Sequence, residues 1–83
     1  MIYILNQNKD AIVMCKNRIV ISATNDKEII SYDGFDEYGE YYDILGIYKT
    51  SERAREVLDG IWQIIDYDRM NGHTLTMYEM SKE

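Results

Sequence analysis

The 83-residue chain has no proline, one cysteine, one histidine, one tryptophan and one phenylalanine. Without proline, its turns must rest on Gly, Asn and Asp. A lone Cys15 excludes an internal disulfide and a multi-cysteine zinc site. A lone His73 leaves the common metal and triad geometries incomplete within one chain. No apolar run approaches the roughly 18 residues of a membrane span, so the chain is not expected to cross a bilayer. The opening Met1-Ile2-Tyr3-Ile4-Leu5-Asn6 lacks a basic n-region and a small-residue cleavage site. It therefore does not read as a signal peptide, and the expected location is cytoplasmic. There is no internal repeat, low-complexity tract or linker, and the length suits a single domain over residues 1–83.

What is present is acid and tyrosine. The net charge is −6. Residues 26–43 hold Asp26, Glu28, Asp33, Asp36, Glu37, Glu40 and Asp43 against a single Lys27, so this stretch accounts for the whole imbalance. The rest of the chain carries acids and bases in equal number. With no basic stripe, direct binding to nucleic acid is not expected, and neither is binding to an anionic membrane. The acidic stretch would attract a basic partner or a cation, or simply solvate a loop. It also holds Tyr32, Phe35, Tyr38, Tyr41 and Tyr42, part of a total of eight tyrosines. Tyrosine suits strands and also interfaces, where it offers a large contact at low entropy cost.

Hydrophobic alternation reads as strands over residues 2–6, 11–15, 18–24, 28–32 and 41–49. Residues 25–27 read as a hairpin turn and residues 33–40, with Gly34 and Gly39, as the loop at a hairpin tip. Gly46 marks a bulge or a close backbone approach. One segment, about 51–70, is helical. Thr50 or Ser51 caps it, Ala54, Val57, Leu58, Ile61 and Ile65 form its apolar face, and Asn71-Gly72 stops it. Gly60 inside it allows close packing. Residues 73–80 alternate again as a last strand, followed by a polar tail at 81–83. The expected fold is α+β: an antiparallel sheet of five to six strands curled around one helix, the last strand pairing with the first.

Trp62 and Ile64 fall about 80° to either side of the helix's apolar centre. Apolar flanks of this kind point to a partner surface, so a homo-oligomer is expected. Arg53, Arg55 and Arg69 lie on these flanks with Trp62 and Tyr67. Arginine beside aromatic rings is a common way to hold a planar anion such as a nucleotide. The same charges could instead form helix-surface pairs, Arg55 with Asp59 and Asp66 with Arg69. No catalytic constellation converges. The carboxylates lie in an acidic loop with nothing apolar to raise a pKa, and residues 33–40 lack an EF-hand pattern. No glycine pattern fits a phosphate loop or a dinucleotide fingerprint. No enzymatic activity, cofactor or metal is expected.

Two segments carry a resemblance. The opening Met1-Ile2-Tyr3-Ile4-Leu5-Asn6-Gln7 resembles the first strand of small proteins of Firmicutes and their phages. Leu45-Gly46-Ile47-Tyr48-Lys49-Thr50-Ser51-Glu52-Arg53-Ala54 and the following Val57-Leu58 resemble the strand-to-helix segment of the same proteins, and Tyr78-Glu79-Met80 their ending. The resemblance implies their fold and a phage setting, in the host cytoplasm, where small acidic proteins often counter host defences. It transfers no functional residue. Three readings stand. One is a non-enzymatic oligomer that sequesters a small anionic, nucleotide-derived ligand through Arg53, Arg55, Trp62, Tyr67 and Arg69. A second is an acidic inhibitor that blocks a basic surface of a host nucleic-acid-binding protein through Asp33, Asp36, Glu37, Tyr38, Glu40 and Tyr41. The third is a structural or assembly protein without a ligand.

Overall fold

The computed structural model describes all 83 residues, Met1–Glu83. Six strands and one helix follow in the order β1 (Ile2–Leu5), β2 (Ile12–Cys15), β3 (Arg18–Ile21), β4 (Glu28–Asp36), β5 (Gly39–Ile47), α1 (Ser51–Met70) and β6 (Thr76–Glu79). The class is α+β, with the last strand after the helix. The strands divide into two three-stranded sheets, ordered β2-β1-β6 and β3-β4-β5. No helix is long and apolar enough to cross a membrane.

The helix forms as its sequence dictates. Thr50 is the N-cap, and its Oγ1 accepts from the Arg53 amide at 3.1 Å. At the other end the Gly72 amide reaches the Arg69 carbonyl and the His73 amide the Asp68 carbonyl. Gly72 takes φ +74°, the left-handed conformation that lets the chain turn away. Ala54, Val57 and Ile61 are buried on one face, with Leu58 and Ile65 partly buried beside them. They close a single core with Ile4, Ile29, Leu45, Tyr48 and Met80.

Three features depart from the expected topology, the first being that the single curled sheet is split into two. β6 pairs with β1 in parallel, Ile2 opposite Thr76 and Leu5 opposite Glu79. The helix returns the chain to the end where β1 begins, so the Met1 amino group sits 3.0 Å from the Thr74 carbonyl and the last strand leaves in β1's direction. Residues 33–40 are also not a loop. β4 and β5 continue through them, with the turn confined to Glu37 and Tyr38. The strands survive the glycines because Asp33 is accommodated as a bulge between Tyr32 and Gly34. Asp36 then closes the turn by accepting from the Tyr38 amide at 2.7 Å.

Gly46 fulfils both expectations for it. The register shifts beside it, with Leu45 the extra residue, and a side chain there would sit 3.1 Å from the Tyr48 hydroxyl and 3.3 Å from Gln7 Cβ. Gln7 joins the two sheets at this point. Its amide donates to the Leu45 carbonyl, its Oε1 accepts from the Ile47 amide, and its Nε2 donates to the Lys82 carbonyl, each at 2.8 Å. Tyr48 is buried and donates to the Ser81 carbonyl at 2.8 Å. Burial, with Tyr78 beside it, pushes its hydroxyl up to about 12, against the pull of Arg53.

Candidate functional site

The two sheets part along one side of the helix, and a cleft of about 440 Å³ opens there. Ile2 from β1 and Ile19 from β3 form one wall; Leu58, Ile61, Ile65 and Trp62 from the helix form the other. Asn17 and Asp59 are polar groups on its lining. The volume lies within the range of small-molecule pockets, and an apolar lining with a few polar groups is their usual composition.

Trp62 is 57% exposed at the rim. Arg69 lies two turns further along the same flank and reaches back, as helical side chains do, to place its guanidinium 5.8 Å from the indole centroid. Asp66 holds it there through a 2.5 Å ion pair. Arg55 lies two turns before Trp62 on the same flank. It is exposed and makes no ion pair, so the Arg55–Asp59 pair open to it by spacing does not form. The flank thus presents a flat ring with one anchored guanidinium over it, and a free arginine about 10 Å before it along the helix.

The other two residues of the expected ligand set lie elsewhere. At 100° per residue Arg53 is opposite Trp62 on the helix. Its Nε donates to the main-chain oxygen of Glu83 at 2.9 Å, and its Nη1 pairs with Glu56 at 3.2 Å. Arg53 is therefore a structural tie between the helix start and the chain's last residues. Tyr67 meets the His73 ring edge-on at 6.5 Å between centroids. His73 in turn contacts Asp68 at 3.0 Å, and that bond, with another from Thr76, holds the Asp68 carboxyl below its usual range.

Cys15 also lines the cleft. Burial pushes its thiol up, and the carboxylates of Asp33 and Asp43 push the same way against the Ser31 hydroxyl. It stays a neutral thiol, a poor nucleophile. No three metal-ligating side chains converge anywhere in the chain.

Asp33, Asp36, Glu37, Tyr38, Glu40 and Tyr41 all lie on the outer part of the β4–β5 hairpin and all are exposed. Tyr41 donates to Asp36 at 2.7 Å, which lowers the pKa of the carboxyl and raises that of the phenol. None of these acids forms an ion pair. Phe35 and Tyr38 project beside them, 77% and 86% exposed.

Sequence reasoning finds the Trp62–Arg69 pair, because a seven-residue spacing places both on one flank. It misses Ile2, Asn17, Ile19 and Asp59, whose meeting depends on where the sheets separate. Comparison with protein-family models, curated proteins and solved structures finds no match to this chain.

Proposed function

We propose that this chain is a non-enzymatic binding protein that sequesters a small anionic, nucleotide-derived ligand, acting as a homo-oligomer. The observation that supports it is the apolar cleft walled by an exposed tryptophan, with the Arg69 guanidinium over its ring. A planar base would lie against Trp62 over the cleft, a phosphate or carboxylate on one side of it would meet Arg69, and Arg55, about 10 Å before the ring along the helix, would take a second anionic group. The working residues are thus Arg55, Trp62 and Arg69, narrower than the sequence set. The setting in this proposal, a phage protein acting against host defence in the host cytoplasm, comes with the resemblance of its strand-to-helix segment.

The test is a thermal-shift screen of nucleotides, cyclic oligonucleotides and ADP-ribose derivatives. A ligand at a hundred times its dissociation constant stabilises by about 2.7 kcal/mol. In a domain of this size that raises the midpoint by roughly 10–20 °C. The Arg55→Ala/Arg69→Ala variant is expected to lose the shift while keeping its own melting temperature. A shift that survives in this variant rejects the site, and no shift with any compound rejects the function.

A second reading rests on the hairpin. Its acids have no counter-ions and stand on ordered strands beside exposed Phe35 and Tyr38, which suits a basic protein surface. A complex of that kind is expected to weaken steeply between low and high salt. Salt-insensitive binding would remove this reading.

A further inference from the structure

We infer that the outer face of the β2-β1-β6 sheet is where two copies of this chain pair. The inference rests on the oligomeric part of the proposed function and moves its surface from the helix flanks to this sheet. Alternation along three short strands sends Ile4 and Val13 inward to the core and Tyr3, Leu5, Ile12, Met14 and Met77 outward. The register sets them in two rows, Met14–Tyr3–Met77 and Ile12–Leu5–Glu79. Met1 lengthens the first row, its sulfur 3.0 Å from the Tyr3 hydroxyl. Nothing in the chain covers this face, and Ile12 and Met77 are 67% and 69% exposed. Scattered exposed apolar residues are ordinary, but a contiguous sheet face made of them is a contact surface.

Charge favours a second copy over a basic partner. The chain's −6 resides in residues 26–43, which lie on and before the other sheet's hairpin. The β2-β1-β6 face carries only one ion pair, Lys9–Glu79 at 2.9 Å, on the rim beside Leu5 and Ile12. A basic partner gains nothing on a neutral face, and it would be drawn to the hairpin instead. A second copy can meet it without apposing the two acidic hairpins. It also supplies both signs at the rim, as a two-fold interface requires. With the axis along β1, Met14 lies over Met77 of the second copy and Tyr3 over Tyr3. Both Lys9–Glu79 pairs then fall at the same end, where they can exchange partners. A face of three four-residue strands is small for an interface, so the dimer is expected to be weak, with a micromolar dissociation constant.

The test is sedimentation equilibrium of the full chain across the micromolar range. The apparent mass is expected to rise from 9.8 kDa toward twice that value. Ile12→Lys and Met77→Lys, both exposed, should each weaken pairing at least tenfold with an unchanged thermal midpoint for the monomer. Lys9→Glu and Glu79→Lys should each weaken it, and the two together should restore it. A wild-type chain that stays monomeric overturns both the face and the oligomer. An oligomer indifferent to Ile12→Lys and Met77→Lys overturns the face and leaves the oligomer standing. Failure of the double charge swap to restore pairing overturns the two-fold arrangement. Ligand binding is read independently, by thermal shift on Met77→Lys.

Discussion

A chain ended at Glu79 is expected to lose its cooperative thermal transition. Residues 81–83 read in the sequence as a polar tail, yet the segment beyond β6 holds three parts of the fold together. Met80 is 1% exposed in the core, and its amide donates to the Leu5 carbonyl at 3.0 Å. The next three main-chain oxygens accept from Tyr48, Gln7 and Arg53 in turn. Those donors sit after β5, between β1 and β2, and in the first turn of α1. Removing a buried methionine side chain costs about 2–5 kcal/mol, and each lost hydrogen bond about 0.5–1.5 kcal/mol. The buried Tyr48 hydroxyl would also lose its acceptor. The sum is of the same size as the whole stability of such a domain, on the order of 4–12 kcal/mol. Circular dichroism during heating checks it. A cooperative melt within a few degrees of the full chain would show that the tail is an accessory.

The same segment shows what a sequence reading can and cannot reach. The helix was fully legible, because cap, apolar stripe and stop signal are all local. The strands were legible as strands, because alternation is local too. So were three pairings, β3–β4, β4–β5 and β1–β6, but the parallel direction of the last and the split into two sheets were not. Alternation states which side chains share a face and leaves open which way a distant strand runs and where a sheet divides. Neither therefore had a local signal. The hairpin was underestimated for a related reason. Gly34 and Gly39, set among acids, look like a loop, but at φ +126° and +131° they serve a bulge and a tight turn inside a continuing ladder. Gln7 had no signal of any kind. One glutamine in a polar turn gives no sign that its side chain will bridge two sheets.

The candidate site divides along the same line. Trp62 and Arg69 were legible because helical spacing fixes them on one flank. Arg53 and Tyr67 belong to the other flank, beside Ile64, and the contacts of Arg53 make it structural. The cleft is a product of topology. It exists because one helix spans two separate sheets, and the floor of the gap is apolar because the same residues finish the core.

That double duty decides the second large effect, the cost of Ile61→Ala. Ile61 is 2% exposed, belongs to the core cluster and also lines the cleft. Truncating a buried isoleucine to alanine costs about 2–5 kcal/mol, and the amount depends on how far the space can relax or fill. Here the space opens toward the cleft, so water can enter it, and the cost should fall at about 2–3 kcal/mol. In a domain of this size that lowers the melting temperature by roughly 10–20 °C. Ile64→Ala, three residues further on and 40% exposed, is the control and should cost about 1 kcal/mol or less. The two variants have the same chemistry and lie on the same helix, so propensity cancels between them and burial alone separates them. Equal costs would mean that the helix does not bury the face assigned to it. If the costs differ as expected, Ile61→Ala also enlarges the cleft without touching Arg55, Trp62 or Arg69. A ligand held mainly by ring stacking and charge should then keep its thermal shift, measured from the lower baseline. One that fills the apolar floor should lose most of it.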